Sequence, residues 1–240
     1  MPYDDTPAAS DEPAHRRRRV WLFDLDNTLH DGSGASLGHI TAQMTQYMID
    51  ELSIRREEAD RLRRLYWLRY GATLLGLVRH HGVKAGHFLH HTHLLPGLEQ
   101  RLRSHPHDVA ALAALPGRKY ILTNAPRVYA ERVLRALDLL PLFDGVIAIE
   151  DMAMYGHLRP KPDARMLRHM ARRLGVPPHQ CTLVEDTLEH QKAARRVGMK
   201  TVWLRRWIRG LPTAARDRAR TPPYVDRKLH SILDLRRRMP

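Results

Sequence analysis

The chain has 240 residues, 43% of them hydrophobic, enough to bury a core as one large domain or as a domain carrying an insertion. No apolar run approaches the ~18 residues that a membrane span needs, and the one cysteine, Cys181, excludes an internal disulfide framework, so a cytoplasmic protein with no membrane partner is expected. The formal charge of +14 gathers toward the end of the chain, where eleven Arg and Lys residues from Arg205 onward face only Asp217, Asp226 and Asp234; such a tail can hold nucleic acid, but without aromatic interleaving or a nucleic-acid motif a solvated surface is the favoured reading.

Residues 1–17, with Pro2, Pro7 and Pro13 among Asp, Ala and Ser, read as a disordered leader. Val20, Trp21, Leu22 and Phe23 then form a short apolar run, the signature of a buried strand, which stops on Asp24 and Asp26. Alternation along a strand puts both carboxylates on one side, where they repel unless a cation, a proton or wide exposure relieves them. A strand end running into a polar turn at Asn27 and Thr28 is the plain alternative. Residues 30–38, with Gly32, Gly34 and Gly38, read as a flexible loop.

From about Ser36 to Leu115 the spacing is helical. Ile40, Met44, Tyr47 and Met48 recur at helical spacing, as do Leu62, Leu65, Tyr66 and Arg69, with Trp67 and Leu68 widening the apolar face. Shorter helices are expected at 71–81, 85–93 and 97–114, separated by Gly82, Gly86 and Pro96-Gly97. With no strand in it, the segment 33–115 reads as an inserted all-helical domain, and 18–32 with 116–240 as a discontinuous α/β core. In that core, strands are expected at 119–122, 145–149, 182–184 and 201–204, and helices at 126–137, at 163–174 and up to Val197. An edge strand at Tyr224-Val225 and a helix over 229–235 follow. The alternation predicts a parallel sheet with helices on both faces.

Asp24, Asp26 and Thr28 follow the first strand, Thr123 and Asn124 another, and Glu185 and Asp186 a third, while Lys161 stands between Pro160 and Pro162 just before a helix. Strand ends of an open parallel sheet converge on one crevice. Asp24 and Asp186 offer hard oxygen ligands of the kind Mg2+ takes, which relieves the carboxylate repulsion. A phosphate there meets Thr123 and Asn124 with their backbone N–H groups as donors, and Lys161, one of six lysines in an arginine-dominated chain, as counter-charge. A rigid exposed turn is the alternative for Lys161 and its prolines. Asp24, in line with phosphorus, is the candidate nucleophile for an aspartyl-phosphate. Asp26 can protonate the leaving alkoxide and later activate water, with Thr28 holding it in place.

Taken in order, Asp24-Leu-Asp26-Asn-Thr28, Thr123, Lys161 and Glu185-Asp186 resemble the four motifs of the haloacid dehalogenase superfamily of phosphohydrolases, over roughly residues 19–204. The resemblance implies a Rossmann-like α/β core with a helical cap, Asp24 as nucleophile and Asp26 as acid/base. It also implies Mg2+ held by the Asp24 side chain, the Asp26 backbone carbonyl and Asp186, with Glu185 a further ligand or a neighbour of one. More narrowly, the run from Asp24 to Leu29, the cap stretch from Tyr66 to Leu77, and Leu122-Thr-Asn-Ala125 are similar to the pyrimidine 5′-nucleotidases. That likeness implies hydrolysis of a nucleoside 5′-monophosphate such as UMP or CMP, with the base against Tyr66 or Tyr70. Packing inside the cap is the other reading of both tyrosines.

A sugar-phosphate or phosphoglycolate-type phosphatase, or a phosphomutase, is the next reading among enzymes. Dehalogenase chemistry is disfavoured, because Asp26 supplies a phosphatase-type acid/base. A nucleic-acid-binding module using the basic tail is the non-enzymatic alternative. His80, His81, His87, His90, His91 and His93 have no cysteine or carboxylate patterned with them and read as surface or cap packing rather than a zinc site. Cys181 reads as a small buried apolar residue.

Overall fold

β1 (Val20–Phe23) is entirely apolar and entirely buried, because it lies in the middle of a sheet covered on both faces. It pairs in parallel with β2 (Arg118–Leu122) on one side and β6 (Cys181–Glu185) on the other. β3 (Gly145–Ile147), β7 (Lys200–Leu204) and β8 (Arg227–Leu229) complete a six-stranded sheet in the order β3-β2-β1-β6-β7-β8, with every pairing parallel. A two-stranded hairpin of β4 (Ala153–Met154) and β5 (His157–Leu158) stands apart. In this computed structural model the described residues are 19–208 and 220–235; the leader expected at 1–17 and much of the basic tail lie outside them.

Seven helical segments separate β1 from β2 along the chain: α1 (Gly32–Ala35), α2 (Leu37–Leu52), α3 (Arg56–Tyr70), α4 (Thr73–His81), α5 (Ala85–Thr92), α6 (Leu98–Arg101) and α7 (Pro106–Ala113). α8 (Arg127–Ala136), α9 (Ala164–Arg173) and α10 (Leu188–Arg196) connect the later strands. Strand alternation divides the core. Trp21 and Phe23 pack on one face with Tyr129, Val133 and Leu134 of α8, whereas Val20 and Leu22 pack on the other with Met166 and Met170 of α9 and Ala194 of α10. The result is the Rossmann-like α/β core that the sequence predicts.

The helical stretch has two kinds of packing. α2 to α5 enclose a separate cluster of Tyr47, Met48, Tyr66, Leu77 and Phe88, joined by Ile149 from beyond β3. Leu98, Leu102, Ala111 and Leu112 of the α6–α7 region instead share the cluster of Trp21 and Phe23. Within the first cluster Gly76 is required by its neighbour, because a Cβ there would fall inside van der Waals contact of the Tyr66 ring. Gly76→Ala is expected to lower stability by about 1–3 kcal/mol through overpacking, despite its better helix propensity. A urea midpoint at or above that of the wild type would reject this tight contact.

Several local expectations are corrected. Trp67 and Leu68 do not widen the apolar face of α3; they are 60% and 74% exposed, because the buried side is built from Ala59 and Tyr66, well around the helix from them. Gly86 lies inside α5 rather than ending a helix, and the stretch 97–114 is two short helices because Pro106 starts a new one. Part of the loop expected at 30–38 winds into α1. The edge strand is β8 and not Tyr224-Val225, and the helix expected over 229–235 is a single 3-10 turn, Ile232–Leu235, because Leu229 is taken up by the sheet. Among the described residues no helix is long and apolar enough to cross a membrane.

Candidate active site

The ends of three adjacent strands meet here. Phe23 pairs with Ile121 of β2 and Val184 of β6, so the residues that follow emerge side by side. The Asp24 N–H donates to Val184 O at 2.9 Å, and the Thr123 N–H donates to Ile147 O at 3.0 Å, extending both ladders one residue past the strands. β1 is also where the chain order turns to either side, the usual ligand crevice of an open parallel sheet. Of the sequence-level candidates, Asp24, Lys161, Glu185 and Asp186 are brought together here, with Thr28 against Asp24 and Asp26 two residues on.

Lys161 reaches in from the loop before α9 with only 1% of its surface exposed, which removes the reading of an exposed turn. Its Nζ donates to Asp24 Oδ1 at 2.6 Å and to Glu185 Oε2 at 2.7 Å. Asn124 sets this approach. Its amide nitrogen donates to the Lys161 carbonyl and its amide oxygen accepts the Lys161 N–H, each at 2.9 Å, so its side chain grips the Lys161 backbone. The Thr123 hydroxyl oxygen accepts from the Ala125 N–H at 3.1 Å, which leaves the hydroxyl proton to be donated elsewhere.

One buried cation among several carboxylates leaves the site short of positive charge. Burial and the Glu185 charge push Asp24 up to about 6, although Lys161 works against them. Burial, Glu185 and Asp24 push Asp186 up to about 9. Glu185 is buried too, yet Lys161 and the His190 imidazole, whose Nδ1 lies 3.0 Å from Oε2, hold it well below the usual carboxylate range. Lys161 itself is raised, because its two carboxylate partners outweigh its burial. Among the described residues, Asp24, Glu185 and Asp186 are the only three or more His, Cys, Asp or Glu side chains placed to share a metal ion, with ligand atoms all within 4.8 Å of one another. An all-oxygen set with excess negative charge fits a hard divalent cation such as Mg2+.

Asp26 is held differently from expectation. The Thr28 hydroxyl donates to Asp24 Oδ2 at 3.2 Å, not to Asp26. The reason is helical spacing in the turn, where the Leu29 N–H bonds Leu25 O and Thr28 comes back over Asp24. Asp26 Oδ1 instead meets the Tyr129 hydroxyl at 2.6 Å and His30 Nε2 at 3.1 Å. Burial would raise Asp26, but these two hydrogen bonds hold it below the ordinary value. Ser36 Oγ lies 2.7 Å from the Tyr129 hydroxyl, and the His93 ring stands edge-on to Tyr129 at 5.5 Å. Burial pushes His93 down to about 4. None of these four residues is marked in the sequence beyond His30, whose position four after Asp26 in a glycine-rich stretch is a weak signal.

The two tyrosines expected to meet a base, Tyr66 and Tyr70, part company. Tyr66 is buried against Gly76, with its hydroxyl 2.7 Å from His81 Nε2, so it packs the helical cluster. Tyr70 is half-buried, 2.6 Å from His80 Nε2, with Arg69 and Arg79 over its ring. It precedes Gly71, whose φ of +80° and close approach to Pro162 leave no room for a side chain. That contact sets the end of α3 directly on the Lys161 loop.

Residues 19–198 match the family model described as "haloacid dehalogenase-like hydrolase". A phosphoglycolate phosphatase of Nitrosospira multiformis is 32% identical over 107 residues, 45% of this chain and 42% of that protein. Fructose-1-phosphate phosphatase YqaB of Escherichia coli is 37% identical over 83 residues, 35% of this chain and 42% of the relative. The chain thus spans less than half the length of these curated relatives. The crystal structure of a HAD phosphatase from Thermococcus onnurineus superposes with a TM-score of 0.59 at 21% identity, covering 91% of this chain and 96% of the other, a likeness of fold. With its strand-end carboxylates and lysine in place and three quarters of its length matched, the chain belongs to the haloacid dehalogenase-like hydrolase family.

Proposed function

We propose that this protein hydrolyses a small phosphomonoester with Mg2+, through an aspartyl-phosphate on Asp24. The observation that carries this reading is the buried Lys161 ammonium shared between Asp24 and Glu185, beside a third carboxylate, at the ends of adjacent strands. The Asp24 and Asp186 side chains and the Asp26 carbonyl would hold Mg2+, with Glu185 committed chiefly to Lys161. When bound, the ion supplies positive charge against phosphate oxygens.

An Asp24 carboxylate oxygen bonds to phosphorus as the bond from phosphorus to the leaving oxygen breaks, and that oxygen takes the proton with which Asp26 enters the step, the one restored to it by water in the next. Water then attacks the same phosphorus and gives a proton to the Asp26 carboxylate. The bond from phosphorus to Asp24 breaks, and inorganic phosphate leaves. Thr123 donates its hydroxyl proton to a phosphate oxygen, and Lys161 opposes the phosphate charge. Asn124 contributes by fixing the Lys161 backbone.

Residues 33–115 serve as the cap, its α3 end resting on the Lys161 loop through Gly71 and Pro162. A phosphorylated hydroxy acid or sugar is the favoured substrate class, supported by the relatives' names and by the burial of Tyr66, which takes that ring away from base stacking. A nucleoside 5′-monophosphate is second, favoured by half-buried Tyr70 beside the Lys161 loop. A cytoplasmic setting suits the free, buried Cys181.

Phosphate release from 2-phosphoglycolate, fructose 1-phosphate, UMP and CMP tests this reading. Turnover is expected with Mg2+, falling to background in EDTA and returning when Mg2+ is restored. Release from none of them, across a broader phosphomonoester panel as well, would overturn the enzymatic reading; faster release from UMP or CMP would reverse the substrate order.

A further inference from the structure

We propose that Tyr129 and His30 are positioning residues for Asp26, binding one of its carboxylate oxygens so that the other is presented for proton transfer. The inference rests on the phosphatase reading above. Both hydrogen bonds fall on Oδ1, from the Tyr129 hydroxyl at 2.6 Å and from His30 Nε2 at 3.1 Å. A carboxylate free to turn about its last torsion exchanges its two oxygens, whereas two donors on one oxygen remove that freedom. Oδ2 is then the oxygen left to give a proton to the leaving group and to take one from water.

The proton inventory supports this direction. Oδ1 only accepts, whether or not Asp26 carries a proton on Oδ2, so the single proton of the Tyr129 hydroxyl goes to Asp26, and Ser36 Oγ shares its own between the phenolic oxygen at 2.7 Å and the Gly32 carbonyl at 3.2 Å. For His30 to bond the carboxylate, its Nε2 carries the proton. Both partners are sealed in the interior, His30 at 0% and Tyr129 at 2% exposure, so water does not compete for Oδ1 from their side. A tyrosine serving only as core packing could satisfy its hydroxyl on Ser36 alone. Here it reaches past Ser36 to a carboxylate 103 residues away in the chain.

The support is anchored where the helical stretch leaves and rejoins the core. Ser36 immediately precedes α2, and His93, edge-on to the Tyr129 ring, immediately follows α5. Tyr129 and His30 thereby hold one carboxylate oxygen, with Ser36 and His93 set against Tyr129.

The test compares leaving groups, using kcat/KM, which reports steps up to loss of the leaving alcohol. An alkyl phosphate such as 2-phosphoglycolate needs a proton on its departing oxygen, whereas p-nitrophenyl phosphate releases a stable anion. Tyr129→Phe is expected to lower kcat/KM about 10–100-fold for the alkyl phosphate and less than about threefold for p-nitrophenyl phosphate. His30→Leu should show the same contrast, and His30→Gln, which keeps an N–H donor near the Nε2 position, should recover most of the loss. Thermal unfolding checks that each variant is folded. If Tyr129→Phe fails to fold, the His30 pair decides alone. Equal losses on both substrates, or no loss, would overturn the positioning role. Wild-type protein that turns over neither these two compounds nor any of the phosphomonoester panel would overturn the phosphatase reading, and this inference with it.

Discussion

Asp24→Asn is expected to reduce phosphate release by at least about 10³-fold, to the background of the assay. A carboxamide has no charged oxygen to bond to phosphorus, and no other described carboxylate takes the place between Lys161 and Thr28. The fold should survive, because burial and Glu185 already push Asp24 up to about 6, so its charge is held at a cost that a neutral amide removes. The amide oxygen can still accept one of the two hydrogen bonds, from Lys161 or from Thr28. Loss of the other is expected to cost about 1 kcal/mol. Release assays with saturating Mg2+, paired with urea unfolding, separate these effects. Activity above about 1% of wild type in a folded variant would remove Asp24 as the nucleophile.

Lys161→Met is expected to impair both activity and stability. The side chains are similar in length, so the change removes charge more than volume. In the wild type the ammonium satisfies Asp24 and Glu185 at 2.6 and 2.7 Å inside the protein. Without it, two buried carboxylates face each other and Asp186, with the His190 imidazole 3.0 Å from Glu185 at their edge. Removing one member of a buried ion pair costs about 3–5 kcal/mol, because the partner stays desolvated and unpaired. Urea unfolding should show a lower midpoint with an unchanged slope. Phosphate release should fall at least about 100-fold, since the group opposing the phosphate charge is gone. A variant with wild-type stability would show that Lys161 is not the counter-charge holding these carboxylates together.

The two variants ask different questions of one cluster. Asp24→Asn removes chemistry while reducing the crowding of negative charge, whereas Lys161→Met increases that crowding. A small stability cost in the first and a large one in the second, with a shared loss of turnover, would distinguish a catalytic ion cluster from a structural one.

Much of the site was legible because its parts are punctuated locally. An apolar run ending in Asp24 and Asp26, a run ending in Thr123, and a run ending in Glu185 and Asp186 each announce a strand and its polar end within ten residues. Parallel pairing then brings such ends to one edge of the sheet. Lys161 stood out by composition and its flanking prolines. Less was legible where helices decide the outcome. Helical periodicity grouped Trp67 and Leu68 with Tyr66, yet only one side of α3 finds a partner, and they are on the other. Tyr129 lies in the helix expected at 126–137 and packs in the core, while its hydroxyl reaches Asp26, a contact that periodicity cannot register.

Taken alone, the sequence determined the α/β class, the buried strand before Asp24, the helical stretch that follows it and the polar residues after the strands. It could do so because strand and helix patterns, and the residues that stop them, depend on neighbours a few positions away. Only the tertiary structure decided which polar group serves which. Thr28 went to Asp24, Asn124 to the Lys161 backbone, Lys161 to two carboxylates at once, and Tyr129 with His30 to Asp26. Buried donors and acceptors must be satisfied inside the protein, and most of these partners are set by strand register and helix packing rather than by order along the chain.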